Sequence, residues 1–460
     1  MIRFTPGQKI HLVGIGGVGM SAIARVLLEQ GCIVSGSDRA PGSLALALAR
    51  DGVAVYTGHD ASHVGTVDAL LITSAASADN PEVAAARARG IPVYKRADII
   101  AGLMAGRSVI AVAGAHGKTT TTAMITHILL QTGADPGYII GGTLKSNGRN
   151  AAAGSGPVFV VEADEYDHMF LGLCPDVAVV TNVEWDHPDF FPTLAAFTEA
   201  FERFICRLPP NGTLIACVDD PGARELADRR VRQGLPVIGY GLNAGAARMV
   251  DLRADSDGTV FTARLPDRAV TTVRLQLPGA HNACNAMAAL LATEMQGIEP
   301  EAAAEALATF TGTGRRFDLL GEVGGVAVID DYAHNPTKIR AAIAAARQCY
   351  PERTLWAVWQ PHTYSRTASF KREYQAAFSE ADHVLVTTIY AAREAPIPGV
   401  TAASVTAGMD HLDARHFSTF DEVVAVLRDE VQPPAVVLIM SAGDATAIGT
   451  ALLEGWQSHA

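Results

Sequence analysis

At 460 residues and 49% hydrophobic composition, the chain is long enough to bury two or three cores, at roughly 100–200 residues per domain. Its formal net charge of −12 argues against non-specific binding to nucleic acid or an anionic membrane, which needs a basic face, but leaves room for a local basic pocket around a phosphorylated ligand. Cys32, Cys174, Cys206, Cys217, Cys284 and Cys349 form no C-x-x-C pair, the opening MIRFTPGQKIHLVGIGG lacks a signal-peptide plan, and no apolar run reaches the length of about 18 residues that a membrane span needs, so a soluble cytoplasmic protein is expected.

Residues 9–106 alternate strand and helix patterns. KIHLVGIG reads as a strand, VGMSAIARVLLEQG as a helix closed by Gly31, and IVSGSD as a second strand. A helix near 43–51, strands VAVY and DALLITS, a helix near 80–89, strand PVYK and a helix near 97–105 follow. The alternation predicts a parallel sheet with right-handed crossovers. Its first turn, Gly14-Ile15-Gly16-Gly17-Val18-Gly19, is a G-x-G-x-x-G fingerprint, and Asp38 ends the next strand. That is the plan of a Rossmann-type nucleotide site with a pyrophosphate at the helix N-terminus. Glycines used only for close helix–strand packing are the alternative, and the fingerprint alone also fits an NAD-dependent oxidoreductase.

A second unit begins at Ser108 with the apolar run SVIAVAG, then Gly114-Ala115-His116-Gly117-Lys118-Thr119-Thr120-Thr121-Thr122, then a helix to about Gly133. A buried strand, a glycine-rich turn and a helix N-terminus make a phosphate loop. Backbone N–H groups turn inward at Gly114 and Gly117, Lys118 adds a point charge, and the Thr119 hydroxyl can ligate Mg²⁺. The longer pattern G-x-x-x-x-G-K-[ST] wants glycine where Val112 stands, so the match is to the core G-x-x-G-K-T; an ordinary turn with an exposed lysine is the alternative. Strands YIIGG, VFVVEADE, VAVVTNV and GTLIACVDD follow, and residues 247–279 alternate around the turns DSDG and PD as an antiparallel meander. Helices at about 281–296 and 300–310 close the unit. TGTGRRFDLLGEVGG reads as a hinge. Beyond it come strand GVAVIDDYAHNP, a helix from Pro336 to about Gln348, strand RTLWAVWQPH, a helix over roughly 366–379, strands HVLVTTIY and AVVLIMSAGD with a helix near 421–431 between them, and a last helix over about 444–455. The expected class is α/β with three open α/β domains: a Rossmann-like 1–106, a central P-loop ATPase with an antiparallel meander over 107–312, and a third α/β domain over 313–460.

In open parallel sheets ligands bind beyond the carboxyl ends of strands. One strand ends Glu162-Ala163-Asp164-Glu165, and crowded carboxylates suit a cation, so Glu162 is a candidate Mg²⁺ ligand beside Thr119. The next ends Asn182-Val183-Glu184-Trp185-Asp186-His187, where His187 could hold a second divalent ion or be a plain loop histidine. Asn282 and Asn285 of HNACN could meet an adenine edge or cap a helix. Arg315 and Arg316 could swing onto a phosphate or stay exposed. In the third unit, Asp331 and His334 end one strand and His362 and Arg366 the next. A carboxylate, histidines and an arginine there suit a small zwitterion, with Arg366 meeting its carboxylate bidentately.

Taken in order, VGIGGVGMS, GxHGKTTTT, EADE, TNVEWDHPD, HNACNA, GTGRRFD, DDYAHNPT, QPHTYSRT and APIPG resemble the Mur ligase family of peptidoglycan synthesis across nearly the whole chain. The resemblance implies a UDP-sugar domain, a central ATPase and a C-terminal Rossmann-like domain that binds an amino acid. It implies a cytoplasmic ligase that joins L-alanine to the lactyl carboxylate of UDP-N-acetylmuramate through an acyl phosphate. Gly14, Gly16, Gly17, Gly19, Ser37, Asp38, His59, Thr73 and Ser74 would surround the UDP-sugar. Gly114, His116, Gly117, Lys118, Thr119, Thr120, Arg316 and Asp331 would bind ATP, with Asn282 and Asn285 on adenine. Thr119, Glu162 and His187 would hold Mg²⁺ or Mn²⁺, and Lys118, His187, His334 and Arg366 would serve the chemistry. The family also implies a monomer or weak homodimer with no nucleic-acid or membrane partner. Ala115 stands where relatives carry Thr or Ser, and Thr363 where some carry Arg. Several sibling ligases use a carbamylated central lysine; here no lysine lies between Lys145 and Lys338. A murein-tripeptide ligase acting on the same UDP-sugar, a non-catalytic nucleotide-binding regulator and the oxidoreductase are the competing readings.

Overall fold

The computed structural model describes residues 1–255, 258–266 and 268–457. Three sheets follow one another along the chain. The first has five parallel strands in the order Ala54–Thr57, Ile33–Asp38, Lys9–Val13, Ala69–Ile72, Val93–Lys95. The reversal of strand order lies beside Lys9–Val13, so the crevice at its carboxyl end opens at the Gly14 turn. Gly14 takes φ +80°, and a Cβ there would press on Thr73 Cγ2 at 2.7 Å, which explains a glycine at the strand end.

The second sheet has ten strands. Gly137–Ile139, Val158–Glu162, Ser108–Ala113, Val177–Val180, Thr213–Cys217 and Val237–Gly241 are parallel neighbours in that order. They are apolar throughout because helices cover both faces. Ala247–Asp255, Gly258–Leu265 and Arg268–Leu275 continue the same sheet as an antiparallel meander. One face of that meander is buried: Met249, Phe261, Ala263 and Val273 pack against the helices Ala280–Glu294 and Pro300–Ala308. Ser256, Asp257 and Asp267, in the two expected turns, lie outside the described residues. Val237–Gly241 and the two-residue edge strand Ala151–Ala152 were not expected from the sequence.

The third sheet runs Asp318–Val323, Val326–Asp331, Ala435–Met440, Thr354–Trp359, His383–Val386, Ala414–His416. All are parallel except the first. That first strand corrects the sequence reading. DLLGEV is not part of a hinge but an edge strand, turned back through Gly324 and Gly325 at φ +58° and +83°, the two positive values a type I′ hairpin turn requires. The helix expected over 366–379 is instead two short pieces, Tyr364–Ser369 and Lys371–Gln375, broken at Phe370.

One buried cluster runs through the first two units. Ile10, Ile23, Leu27 and Leu103 are contiguous with Phe159, Phe170 and Phe204. The third unit's buried clusters, around Trp359 and around Val437, are its own. Gly172 marks the first junction: a Cβ there would strike the carbonyl of Ala97. No helix among the described residues is long and apolar enough to cross a membrane. Phe170 is fully buried, stacked on Phe204 at 4.9 Å and edge-on to Phe201 at 5.4 Å. Phe170→Ala is expected to cost about 3–5 kcal/mol, read as a shifted urea midpoint; a shift worth under about 1 kcal/mol would show that the shared core does not hold these units together.

Candidate active site

The central strand Ser108–Ala113 ends in the phosphate loop. Gly114 and Gly117 take φ +144° and +81°. A Cβ on Gly114 would overlap Thr181 Oγ1, and one on Gly117 would stand 2.6 Å from Asn285 Oδ1, so neither position admits a side chain. The helix Lys118–Gln131 starts at once, leaving its first amides and positive end directed at the loop. Lys118 Nζ folds back onto the Gly114 carbonyl and pairs with Glu165 at 2.8 Å. Burial opposes the lysine's charge, but Glu165 and Glu162 outweigh it and raise its pKa. Burial likewise disfavours an ionised Glu165, yet Lys118 and His187 hold it down to about 2.

Glu162 Oε1 accepts from Thr119 Oγ1 at 3.0 Å and Oε2 from the Gly141 amide at 2.6 Å. Burial raises its pKa, and it has no ion-pair partner among the described residues. Two hard oxygen donors side by side, one of them a carboxyl with no ion-pair partner among the described residues, fit Mg²⁺ or Mn²⁺. No group of three His, Cys, Asp or Glu among the described residues could hold a metal by itself, so phosphate oxygens and water would fill the remaining positions, as Mg²⁺ prefers. His187, at φ +55°, lies on the far side of Glu165 with Nε2 3.5 Å from Oε1. Sequence reading placed it with Glu162; the structure places it with Glu165 and Asp186.

Asp186 is 1% exposed and joins the second unit to the third. Its Oδ1 accepts from Arg366 Nε and Nη2 at 3.0 and 2.8 Å, and its Oδ2 faces Lys338 Nζ at 3.8 Å and Asn335 Nδ2 at 3.5 Å. Despite burial, these cations hold its pKa well below the usual carboxylate range. Arg366 is therefore engaged by a protein carboxylate, with Nη1 2.9 Å from His362 Nδ1. His334 is buried beside it, with Nδ1 2.8 Å from the Tyr332 carbonyl. Burial and the adjacent cations push His334 well below its ordinary range and His362 down to about 3; both are neutral imidazoles. Arg316 lies over the Tyr332 ring and donates to Thr119 Oγ1 at 3.2 Å. Arg315 faces the other way, to Asp330 and the Ser441 carbonyl.

Two cavities meet at the loop. One, of about 270 Å³, is lined by Tyr240, Leu277, Pro278, Asn282, Asn285 and Asp331 among others. Its lining is mainly apolar, with the side-chain amides of Asn282 and Asn285 among it, a chemistry that suits a purine. Asn282 donates to the Pro278 carbonyl and accepts from Asn285, whose Oδ1 accepts from Thr121. His116 Nδ1 and Thr313 Oγ1, buried atoms of residues that line this cavity, lack a hydrogen-bond partner among the described residues. His116 Nε2 pairs with Glu184 at 2.9 Å. The other cavity, of about 370 Å³, takes walls from all three units: Val18, Gly19 and Arg96 from the first, Lys118, Thr119 and Glu162 from the second, His334, Lys338 and Arg366 from the third. Thr120 lines both.

The remaining predicted residues gather in the first unit. Gly16 N donates to Asp38 Oδ2 at 2.9 Å, and Gly17 N bonds back to the Gly14 carbonyl. Ser37 Oγ donates to Glu82 Oε2 at 2.6 Å, and His59 Nδ1 is 3.0 Å from that hydroxyl. Thr73 packs on Gly14, and Ser74 bonds to Asp167. Sequence reading missed Glu82. It is fully buried, and His63 Nδ1 lies 2.9 Å and His11 Nε2 3.7 Å from it. Burial is outweighed by these partners, which bring its pKa down to about 2. Its place in a helix of ordinary composition gave no signal. Asp186 and Lys338 were also missed. Asp186 carried a signal, an acid beside His187 at a strand end; Lys338 carried only its rarity, one of six lysines against 30 arginines.

Family models for the Mur ligase family catalytic domain, the Mur ligase middle domain and the Mur ligase glutamate ligase domain match residues 9–108, 112–293 and 315–443. A Paenarthrobacter aurescens protein named UDP-N-acetylmuramate–L-alanine ligase is 44% identical over 447 residues, covering 97% of this chain and 96% of its own. A Thermobifida fusca protein of the same name is 44% identical over 455 residues, covering 97% and 96%. Among solved structures, the UDP-N-acetylmuramate–alanine ligase of Thermotoga maritima superimposes with a TM-score of 0.83 at 27% identity, covering 98% of this chain and 100% of that one. A murein peptide ligase of Psychrobacter arcticus gives 0.76 at 26% identity, covering 98% and 99%.

Asp331 accepts from the Phe317 amide at 2.7 Å, and burial, against the pull of Arg316, pushes it up to about 6. A carboxyl raised by folding stabilises the fold fully below its unfolded pKa of about 3.9, and that contribution is lost as pH rises through the folded value. Asp331→Asn is therefore expected to gain melting temperature relative to the parent protein between about pH 4 and pH 6. A difference constant across that window would contradict the assignment.

Proposed function

The chain belongs to the Mur ligase family, and on that premise we propose that it is an ATP-dependent ligase joining L-alanine to the lactyl carboxylate of UDP-N-acetylmuramate in peptidoglycan precursor synthesis. The observation that carries this reading is the single cavity walled by the glycine turn of the first unit, the phosphate loop of the second and the cationic strand ends of the third. Such a cleft brings a nucleotide-linked carboxylate, a triphosphate and a third component to one point. The proposed division of labour assigns the UDP-sugar to residues 1–106, ATP to 107–312 and the amino acid to 313–460.

The reaction has two steps. The lactyl carboxylate attacks the γ-phosphorus, giving an acyl phosphate and ADP. The alanine amine then attacks the acyl carbon, and phosphate leaves from the tetrahedral intermediate. Carboxylate is a poor acyl donor, and phosphorylation turns its oxygen into a good leaving group. The chain's part is positioning and charge neutralisation. Lys118 reaches the phosphates once they displace it from the Gly114 carbonyl, and Arg316 bridges from the third unit to Thr119. Asn282 and Asn285 present amide edges to adenine. The neutral His334 and His362 and the Asp186-braced Arg366 line the side where the amino acid enters. A divalent cation held by Thr119 and Glu162 would neutralise phosphate charge when bound. His59, Ser37 and the Gly14–Gly19 turn receive the UDP-sugar. A cytoplasmic location, where ATP and UDP-sugars are found, and a monomer or weak homodimer complete the proposal.

The test is phosphate release from ATP with UDP-N-acetylmuramate, with and without L-alanine, glycine, L-serine or the murein tripeptide. Release that requires UDP-N-acetylmuramate and L-alanine together is expected. Stimulation by the tripeptide alone would transfer the chain to the murein-peptide branch, and no stimulation by any acceptor would sink the ligase reading. Glycine and L-serine differ from alanine by one small group, so discrimination of about 10–200-fold is expected in kcat/KM. Lys118→Ala is expected to lower turnover at least about 1,000-fold, the scale of losing a main transition-state charge, while leaving UDP-sugar affinity within about twofold; retained turnover would contradict its assigned role.

A further inference from the structure

Lys338 lies in the first turn of the helix Pro336–Cys349, whose N-cap Asn335 accepts from the Lys338 amide at 2.9 Å. A cation is electrostatically misplaced there, since the first turn is the positive end of the helix. The side chain is only 15% exposed, and its one ion-pair partner among the described residues is Asp186, at 3.8 Å. Asp186 already serves Arg366 through two shorter bonds. Nζ donates no hydrogen bond among the described residues. The charge is thus carried into the interior, against the helix dipole, with a partner too distant to satisfy it. Burial, together with Lys118, Arg316 and Arg366, brings its pKa down to about 8, as expected for a surplus of cations awaiting an anion.

The position of that surplus is specific. Among the described residues, only His116, Gly117, Thr120, Arg316 and Lys338 line both cavities. They form the neck between the purine-shaped pocket and the reaction cleft. The first three belong to the phosphate loop and its helix; Arg316 and Lys338 come from the third unit on the opposite side. Arg316 also has no ion-pair partner among the described residues, only Thr119 Oγ1 and the Tyr332 ring. A chain of phosphates leading from the purine pocket to the cleft must pass between the two sides.

Resting on the ATP-site reading above, we propose that Lys338 is a second phosphate-binding lysine, which the third unit places on the terminal phosphates of ATP opposite Lys118. Its three ammonium donors take the phosphate oxygens that face away from the loop, and Asp186 holds the stem in place before the nucleotide arrives. Phosphate binding at the neck then depends on the docked position of the third unit.

The experiment uses the full chain and calorimetric titration with the non-hydrolysable β,γ-imido analogue of ATP plus Mg²⁺, and with AMP. Lys338→Met is expected to weaken the triphosphate about tenfold or more, the loss of one charge-assisted contact, and to leave AMP affinity unchanged. Lys338→Arg should restore most of the loss, and Lys338→Gln should repeat it if the Met variant fails to fold. Equal losses for triphosphate and AMP would mean that the lysine only shapes the cleft. No loss would mean that it only balances Asp186. Either result overturns the proposal. Lys118→Ala, titrated alongside, separates the two levels: a loss there without one in Lys338→Met leaves the ATP-site reading standing, and a loss in neither removes both.

Discussion

The carboxylate of Asp186 is the point on which the active cleft depends. It is buried just beyond the end of a central strand, and the cations paired with it, Arg366 and Lys338, come from the third unit. A buried ion pair of this kind adds little net stability over an apolar substitute, but removing one partner costs roughly 3–5 kcal/mol because the other is left uncompensated. Its effect is geometric. Arg366, Lys338 and Asn335 gathered on one carboxylate tie the third unit to the second at this point. The edge-to-face contact of Trp185 with Phe370 at 5.2 Å and the Thr337 hydroxyl on Glu184 at 2.6 Å lie along the same seam.

Around that anchor the cleft has a consistent charge order. Acids occupy the strand ends of the second unit: Glu162 and Glu165 on one, Glu184 and Asp186 on the next. Each except Glu162 is matched by a base, with Lys118 on Glu165, His116 on Glu184 and Arg366 on Asp186. In the proposed reading, Glu162 is left for a metal, and Arg316 and Lys338 for phosphate. His334 and His362 are neutral because burial, reinforced by the cations around them, disfavours a further charge. They can accept or donate a hydrogen bond without adding a charge of their own.

Much of this was legible in the chain. The phosphate loop could be read because its chemistry is local: a β-branched strand, two glycines that no other residue can replace, a lysine and threonines, all within fifteen positions. The class of three open sheets followed from alternating periodicities, which are also local. What could not be read depended on contacts between distant segments. Arg366 seemed free to take a carboxylate ligand because nothing in the sequence shows that Asp186, 180 positions away, already holds it. Glu82 gathers His11, Ser37, His59 and His63 from separate elements of the first unit. The hairpin at Gly324-Gly325 was taken for a hinge because paired glycines mark a tight reversal and a flexible link alike, and only the pairing partner distinguishes them.

The two junctions of the molecule differ in kind. Between the first and second units the seam is a shared apolar core, rimmed by the ion pairs Lys95–Asp167, Arg96–Asp164 and Arg149–Glu29. Between the second and third it is a lattice of opposite charges, whose strength varies with ionic strength and with whatever charge occupies the cleft. A triphosphate, a diphosphate with an acyl phosphate, and free phosphate place different amounts of negative charge at that seam. The hold on the third unit therefore depends on the charge in the cleft, whereas the core shared by the first two does not.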